Sequence, residues 1–549
     1  MKYLKKNKRY IYLEYGVLAL LIMWPLLAKG YVFAMDMAWP VQFTFPDQIS
    51  NFYPIQILLW LINFVIPSWL MQKFVIFFTF FFAGLFAHKL IRTKYQWPKY
   101  FAGLLYVLTP YLYSKFLYGQ IWLCLAYALL PLLLRYLWNL FDEPNWKYLF
   151  KCLAVFCLIG FVGLHFAFIS ALIVVLAILV HLITLLIKKD YTRFKIVFKF
   201  IVTLFVLFFV INSFWIFIFA SGDNMASQKM QLFDNNQMEI FKTDNGGTNV
   251  FFNVLSMYGF WGDRHNLYIL PKQFISFWWI LSIAFMSLSI LGFISSFVKK
   301  ERRESAVFSG LLILIGTILS VGITSETLRP FIMWMNNYVP FYQGFREPQK
   351  FTALIVLGYC LLCSTGLIYL SEKLVKRNKE NYIAMALLLV ILYNPLMFNG
   401  LRGQMFVSNY PDSWAEVKQI LDSDKSEIKI LVLPWHLYMS YDFTRNKIVG
   451  PLACAYFDKT KTICGDNMEL ENTYALTSRS ISIYLNKLIL QLEEYRNDFS
   501  KQIELYDIHY IVILKEVDWE KYNNFIKKQT SCKEVFNSNE IILYKSQHK

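Results

Sequence analysis

Apolar runs of about 17 to 25 residues recur along this chain from near residue 11 to near residue 398, and after Gly400 they stop. That is the length a helix needs to cross about 30 Å of hydrocarbon. With 57% hydrophobic residues, 19% aromatic residues and a mean hydropathy of +0.41, the chain has more apolar surface than a soluble domain can leave in water. A soluble fold is excluded. The expected fold class is an α-helical polytopic membrane domain over residues 1–399, followed by a small extracytoplasmic α/β domain over residues 400–549.

The formal net charge of +17 would suit a polyanion ligand if it were evenly spread. Residues 400–549 carry 19 Lys and Arg against 20 Asp and Glu, a net −1, which leaves 35 against 17, or +18, for residues 1–399. Of those 35 basic residues, 25 fall in six short segments, 1–9, 88–99, 135–151, 188–199, 299–303 and 373–379. Such clustering is positive-inside topology and argues against nucleic acid as a partner.

With those segments cytoplasmic, spans are expected at about 11–28, 70–88, 100–116, 120–138, 148–164, 166–187, 199–219, 273–297, 306–323, 350–370 and 382–398. Roughly eleven crossings put the N-terminus inside and the C-terminal domain outside. The segment 54–68 (PIQILLWLINFVIPS), about 15 residues flanked by Pro54 and Pro67, reads as an interfacial or re-entrant helix. Counting it as a span would place the later basic loops outside. The basic start MKYLKKNKR is followed by no small-x-small cleavage site, so a retained first helix is expected. The external segments are then 29–69, 220–272 and 324–349, the middle one turn-rich with Asn245-Gly246-Gly247 and Gly262-Asp263.

Five of eight cysteines, Cys124, Cys152, Cys157, Cys360 and Cys363, fall in expected spans as small apolar residues. Cys454, Cys464 and Cys532 lie outside them; a Cys454–Cys464 disulfide is one pairing, which the odd count does not fix. In the tail, the helical stretch WAEVKQILDS is followed by strands in KILVLPW, HYIVIL and EIILYK, with helical segments at about 480–498 and 518–528 between the later strands. That alternation favours a layered α/β domain.

Ionised groups are costly near membrane depth, so charges beside span ends are the first functional candidates. Asp36, in VFAMDMAWP, has apolar and aromatic neighbours that would desolvate it and raise its pKa towards that of a general base; a solvated loop aspartate or a helix cap is the plainer alternative. Asp47, in TFPDQIS, is a secondary acidic candidate that resembles an N-cap for the interfacial helix. The stretch Gln343-Gly344-Phe345-Arg346-Glu347-Pro348-Gln349-Lys350 precedes a helix and suits an anion, although an Arg346–Glu347 structural pair with Pro348 in the first turn explains it equally. Arg329, in TLRPF, is a lesser case of the same kind. His165, in GLHF, and His436, in LPWHLY, are pocket candidates with no nucleophile at a recognisable spacing, and a packed, hydrogen-bonded histidine is the commoner finding. There is no H-E-x-x-H, P-loop or Rossmann glycine pattern, so nucleotide hydrolysis as an energy source has no support.

The order of a first span, an outward loop bearing Asp36, an interfacial helix, about ten more spans and an external domain resembles the GT-C class of membrane glycosyltransferases. The phrases YGQIWLCLAYALLPLLLRYLW, INSFWIF, GFREPQKF, YPDSWAEVKQIL and ILVLPWH are similar to segments of members related to lipoteichoic-acid-modifying enzymes and to the arabinofuranosyltransferases. The resemblance covers nearly the whole chain. It implies transfer of a sugar from a polyprenyl-phosphate carrier to an extracytoplasmic glycan, lipid or protein acceptor. Asp36 would be the general base, and Arg346, with Arg329 or Lys350, would bind the lipid phosphate. Asp36 is followed by Met37 and Ala38 rather than a second acid, so no metal ligands are assigned, no cofactor is certain and a divalent-metal requirement stays open. The competing readings are a transporter or flippase of lipid-linked saccharides, which would want repeats and broken midplane helices, a polysaccharide polymerase or ligase, and a non-catalytic cell-envelope scaffold.

Overall fold

The computed structural model describes residues 10–222, 235–298, 302–373, 379–424, 427–458, 461–466, 468–470, 473–475 and 500–547. They form two compact units. One takes in the described residues within Met1–Trp24, Gln48–Ile55 and Phe74–Gln404; the other takes in those within Pro25–Asp47, Gln56–Lys73 and Met405–Lys549.

Among the described residues, eight helices are long and apolar enough to cross a bilayer, or nine if the bent pair Tyr382–Tyr393 and Pro395–Arg402, 63° apart, is one span. The expected count of about eleven is not reached, for local reasons. The run expected over 100–116 is broken into Trp97–Val107 and Pro110–Leu117. Pro110 has no N–H to donate and disfavours helical backbone at Thr109, which is extended and instead accepts from the Leu112 N–H at 3.0 Å as an N-cap. Trp146–Val162 is helical for only 17 residues. Tyr53–Asn63 is an apolar helix of 11 residues, about half the length of a span, as an interfacial or re-entrant element requires.

In the first unit, the helix Pro348–Lys373 is 83% buried and forms the centre, whereas Tyr191–Ser221 is only 22% buried and turns Val206, Phe209, Val210 and Phe217 outward. A polytopic membrane protein needs both kinds, one facing protein and one facing lipid. Trp278–Val298 meets Thr352–Lys373 backbone to backbone: a Cβ on Gly292 would collide with the Leu362 carbonyl, and one on Gly366 with the Leu288 carbonyl. Tyr106 and Tyr127 tie two further helices together, each hydroxyl donating to the other's carbonyl at 2.9 Å with the rings stacked 4.1 Å apart.

The second unit is built on a mixed five-stranded sheet in the order Cys532–Asn537, Ile541–Ser546, Tyr510–Leu514, Ile430–Leu433, Thr462–Ile463. Ile430–Leu433 runs parallel to both of its neighbours, and Ile541–Ser546 runs antiparallel to both of its own. Leu431, Leu433, Ile511, Ile513 and Ile542 form the core with Tyr522 and Ile526 from the helix Trp519–Ile526. The three expected strands and the helices Asp412–Ser423 and Trp519–Ile526 are present, and the helix expected at 480–498 lies outside the described residues. Cys454 and Cys464 form a disulfide.

Candidate functional site

Asp36 belongs to the second unit, and its position follows from how Pro25–Asp47 is fastened there. Tyr31–Val32 pairs antiparallel with Val407–Ser408, while the Gln72 amide both accepts from the Val32 N–H and donates to its carbonyl, each at 2.8 Å. Trp39 donates its indole N–H to the Ser68 hydroxyl at 2.9 Å, and Tyr410 donates to the Trp39 carbonyl at 2.8 Å. Between these anchors the chain turns tightly, with Met37 N–H donating to the Ala34 carbonyl at 2.9 Å and Gly450 N–H to the Met35 carbonyl at 2.9 Å. Phe33, Ala34, Met35 and Met37 are buried, whereas Asp36 is exposed at the tip of the turn. The Tyr438 hydroxyl donates to its Oδ1 at 2.9 Å. The result is an exposed carboxylate at the tip of an otherwise buried turn, with the Tyr438 phenol donating to one of its oxygens.

Asp47 is also exposed, but the helix that it was expected to cap begins at Tyr53, six residues later, so it caps nothing there. His436 accepts a structural role: its Nε2 lies 3.1 Å from Asp518, which also holds Lys521 at 3.1 Å. Burial raises the Asp518 pKa, but His436 and Lys521 outweigh it and keep the group below the usual carboxylate range.

The first unit holds a buried charge cluster around Glu347. Lys115, in Pro110–Leu117, reaches Glu347 at 3.0 Å and also lies 4.0 Å from the Phe260 ring centroid. Lys350 stands 3.7 Å from the other carboxylate oxygen, and Gln120 donates to Glu347 at 3.3 Å. Burial pushes the Glu347 carboxyl up, but Lys350, Lys115 and Arg346 overcome it and hold the group well below the ordinary range. Arg346 is half-buried with its guanidinium 4.5 Å above the Phe241 ring. The four charged groups Lys115, Arg346, Glu347 and Lys350 sum to +2.

His165 joins this cluster. Its Nε2 faces the Gly344 carbonyl at 3.0 Å and the Lys350 ammonium at 3.3 Å, and one nitrogen cannot donate to the first while accepting from the second. Arg329 does not join it; exposed at the start of Arg329–Tyr338, it pairs with Glu239 at 2.5 Å. The same segment as Arg346 borders an apolar cavity of about 380 Å³, lined by Phe168, Leu172, Leu319, Phe341, Phe345 and others.

Lys115, Gln120 and Tyr438 were not singled out in the sequence. Lys115 had a signal, a lone cation inside an otherwise apolar run; Tyr438 and Gln120 had none. Among the described residues, no three His, Cys, Asp or Glu side chains come together as a metal site.

No protein-family model and no curated protein matches the sequence. Solved structures do. A single-particle cryo-EM structure of the arabinofuranosyltransferase AftD from Mycobacteria superposes with a TM-score of 0.57 at 13% identity, covering 99% of this chain and 40% of that one. A mutant form of AftD gives a TM-score of 0.53 at 11% identity, covering 98% of this chain and 42% of that one. This chain shares its fold with these AftD structures. The chain spans about two fifths of the length of AftD, by those same 40% and 42% coverages. At such identities the likeness speaks for the fold, and the roles of individual residues rest on the geometry above.

Proposed function

We propose that this protein is a membrane glycosyltransferase that takes a sugar from a polyprenyl-phosphate carrier and transfers it to an extracytoplasmic glycan, lipid or protein acceptor. The observation that carries the reading is the Lys115–Glu347–Lys350 cluster with Arg346, net positive, on the segment that also borders an apolar cavity of about 380 Å³. A polyprenyl phosphate has the matching halves: a phosphate for the cations and an isoprenoid chain for the cavity. Asp36 is the general base. It removes the proton of the acceptor hydroxyl as that oxygen attacks the anomeric carbon, and the lipid phosphate leaves with inversion. Glu347 is shared between Lys115 and Lys350, and with Arg346 the cluster stays net positive towards a phosphate.

The C-terminal unit is placed outside the cytoplasm, with the N-terminus inside. The clustering of basic residues supports this, and so does the Cys454–Cys464 disulfide, since such bonds persist in oxidising compartments.

The test is transfer by purified protein in lipid, given candidate polyprenyl-phosphate sugars and an acceptor extract. Asp36→Asn should lower turnover by about 10²-fold or more with donor binding retained. Arg346→Gln should weaken donor binding instead. Undiminished transfer by the Asp36 variant removes the proposed base, and no transfer with any donor favours transport or scaffolding.

A further inference from the structure

A cavity of about 890 Å³ in the first unit is lined by the ends of helices that carry two of the six basic segments, 88–99 and 135–151. Lys89, Arg92, Lys99, Arg135 and Lys151 all face it. Among the described residues, only Arg92 of these five meets a carboxylate, that of Asp142. Lys89 spends its charge on the Tyr12 hydroxyl at 2.8 Å and its ring, Arg135 donates to the Lys89 carbonyl, and Lys151 lies 5.6 Å from the Tyr136 ring centroid.

Positive-inside topology accounts for cations near these helix ends, but it asks only that they reach water. It does not ask that five of them converge on one concavity, where like charges repel unless an anion joins them. The walls also contain Ile11, Phe86 and Leu132, so the cavity has an apolar side. A ligand that satisfies both has a phosphate joined to hydrocarbon.

We propose that this cavity binds the phosphate headgroup of an anionic membrane phospholipid, with Lys99 and Lys151 as the contacts that nothing else in the described structure neutralises. The site is independent of the proposed glycosyl transfer and is built from none of the residues assigned to it.

The experiment uses the full chain, delipidated in neutral detergent and returned to phosphatidylcholine nanodiscs with graded phosphatidylglycerol. Retained lipid is read by native mass spectrometry. Wild type should retain phosphatidylglycerol selectively, and K99Q/K151Q should bind it at least ten-fold more weakly. K188Q/K189Q, which removes the same charge from an exposed turn outside the cavity, should match wild type. Lys151 is exposed, so Lys151→Gln alone should show part of the loss in a folded protein even if the double variant is unstable. Equal weakening in both double variants would mean bulk attraction and overturn the site, as would unchanged retention in K99Q/K151Q and K151Q. Displacement of the lipid by millimolar inorganic phosphate would reassign the cavity to a free anion and overturn the lipid.

Discussion

A carboxyl group removed from water must find cations or keep its proton, and two buried acids of the first unit take these different courses. Glu347 finds Lys115 and Lys350. Asp263, in the short helix Trp261–His265, is buried, and burial raises its pKa to about 7; Lys272, Ser114 and Lys115 pull it back, while Asp244 adds to the rise. Because the unfolded chain releases this proton near pH 4, the stability Asp263 confers is fully present below that and is lost as the pH climbs through about 7. Wild-type protein should therefore melt at a lower temperature at about pH 8 than at about pH 5, and Asp263→Asn should flatten the difference and melt higher than wild type at about pH 8. Tryptophan-fluorescence melting at both values decides it; identical pH profiles for the two proteins would remove Asp263 as the cause. The two site regions differ in how far the sequence revealed them. Asp36, Arg346, Glu347 and Lys350 stand out because charge is rare in apolar surroundings. Their partners do not: Lys115 meets Glu347 across 232 residues and Tyr438 meets Asp36 across 402, and no local pattern encodes such pairings. Arg329 read as a lesser case of the same kind as Arg346, and only the fold distinguishes its exposed pair with Glu239 from a buried cluster.

Elements were legible where hydrophobic period and length agreed, and less so where backbone chemistry intervened. The apolar content of 100–116 is sufficient for a span, but Pro110 divides it. The strand Cys532–Asn537 went unread because it is an edge strand whose Lys533, Glu534 and Val535 are exposed, leaving no apolar run to notice. The sequence likewise gave no sign that Pro25–Asp47 packs with the C-terminal unit, since a two-residue strand, Tyr31–Val32, has no periodicity to detect. Close helix packing is a further case: Gly292 and Gly366 lie in ordinary apolar runs, yet each sits against the carbonyl of a facing helix. Gly292→Ala should cost about 1–3 kcal/mol by forcing Trp278–Val298 away from Thr352–Lys373. Gly16→Ala is the control, because a Cβ there would have its nearest neighbour, Phe77, at 4.0 Å. The prediction fails if both variants melt alike in detergent.

For the whole molecule the consequential quantity is sidedness, because a lipid-linked donor rather than a nucleotide-linked one is argued from the acidic loop and the C-terminal unit facing away from the cytoplasm. The eight clear spans do not decide parity on their own. If the bent pair, the broken run Trp97–Leu117 and the 17-residue Trp146–Val162 also cross, the total is eleven, an odd number, and each basic segment falls on one side. If Trp97–Leu117 or Trp146–Val162 fails to cross, every later basic segment changes sides, at odds with the charge bias that orients membrane chains; if the bent pair fails to cross, the basic segments stay in place and only the C-terminal unit changes side. Cysteines at Lys533 and Lys188, both exposed, separate these arrangements in a background with the unpaired native cysteines replaced and the Cys454–Cys464 bond kept. Lys533→Cys should react with a membrane-impermeant maleimide in intact cells. Lys188→Cys should react only once the membrane is opened. Labelling of Lys188→Cys in intact cells would reverse the topology, and with it the argument for a polyprenyl-phosphate donor.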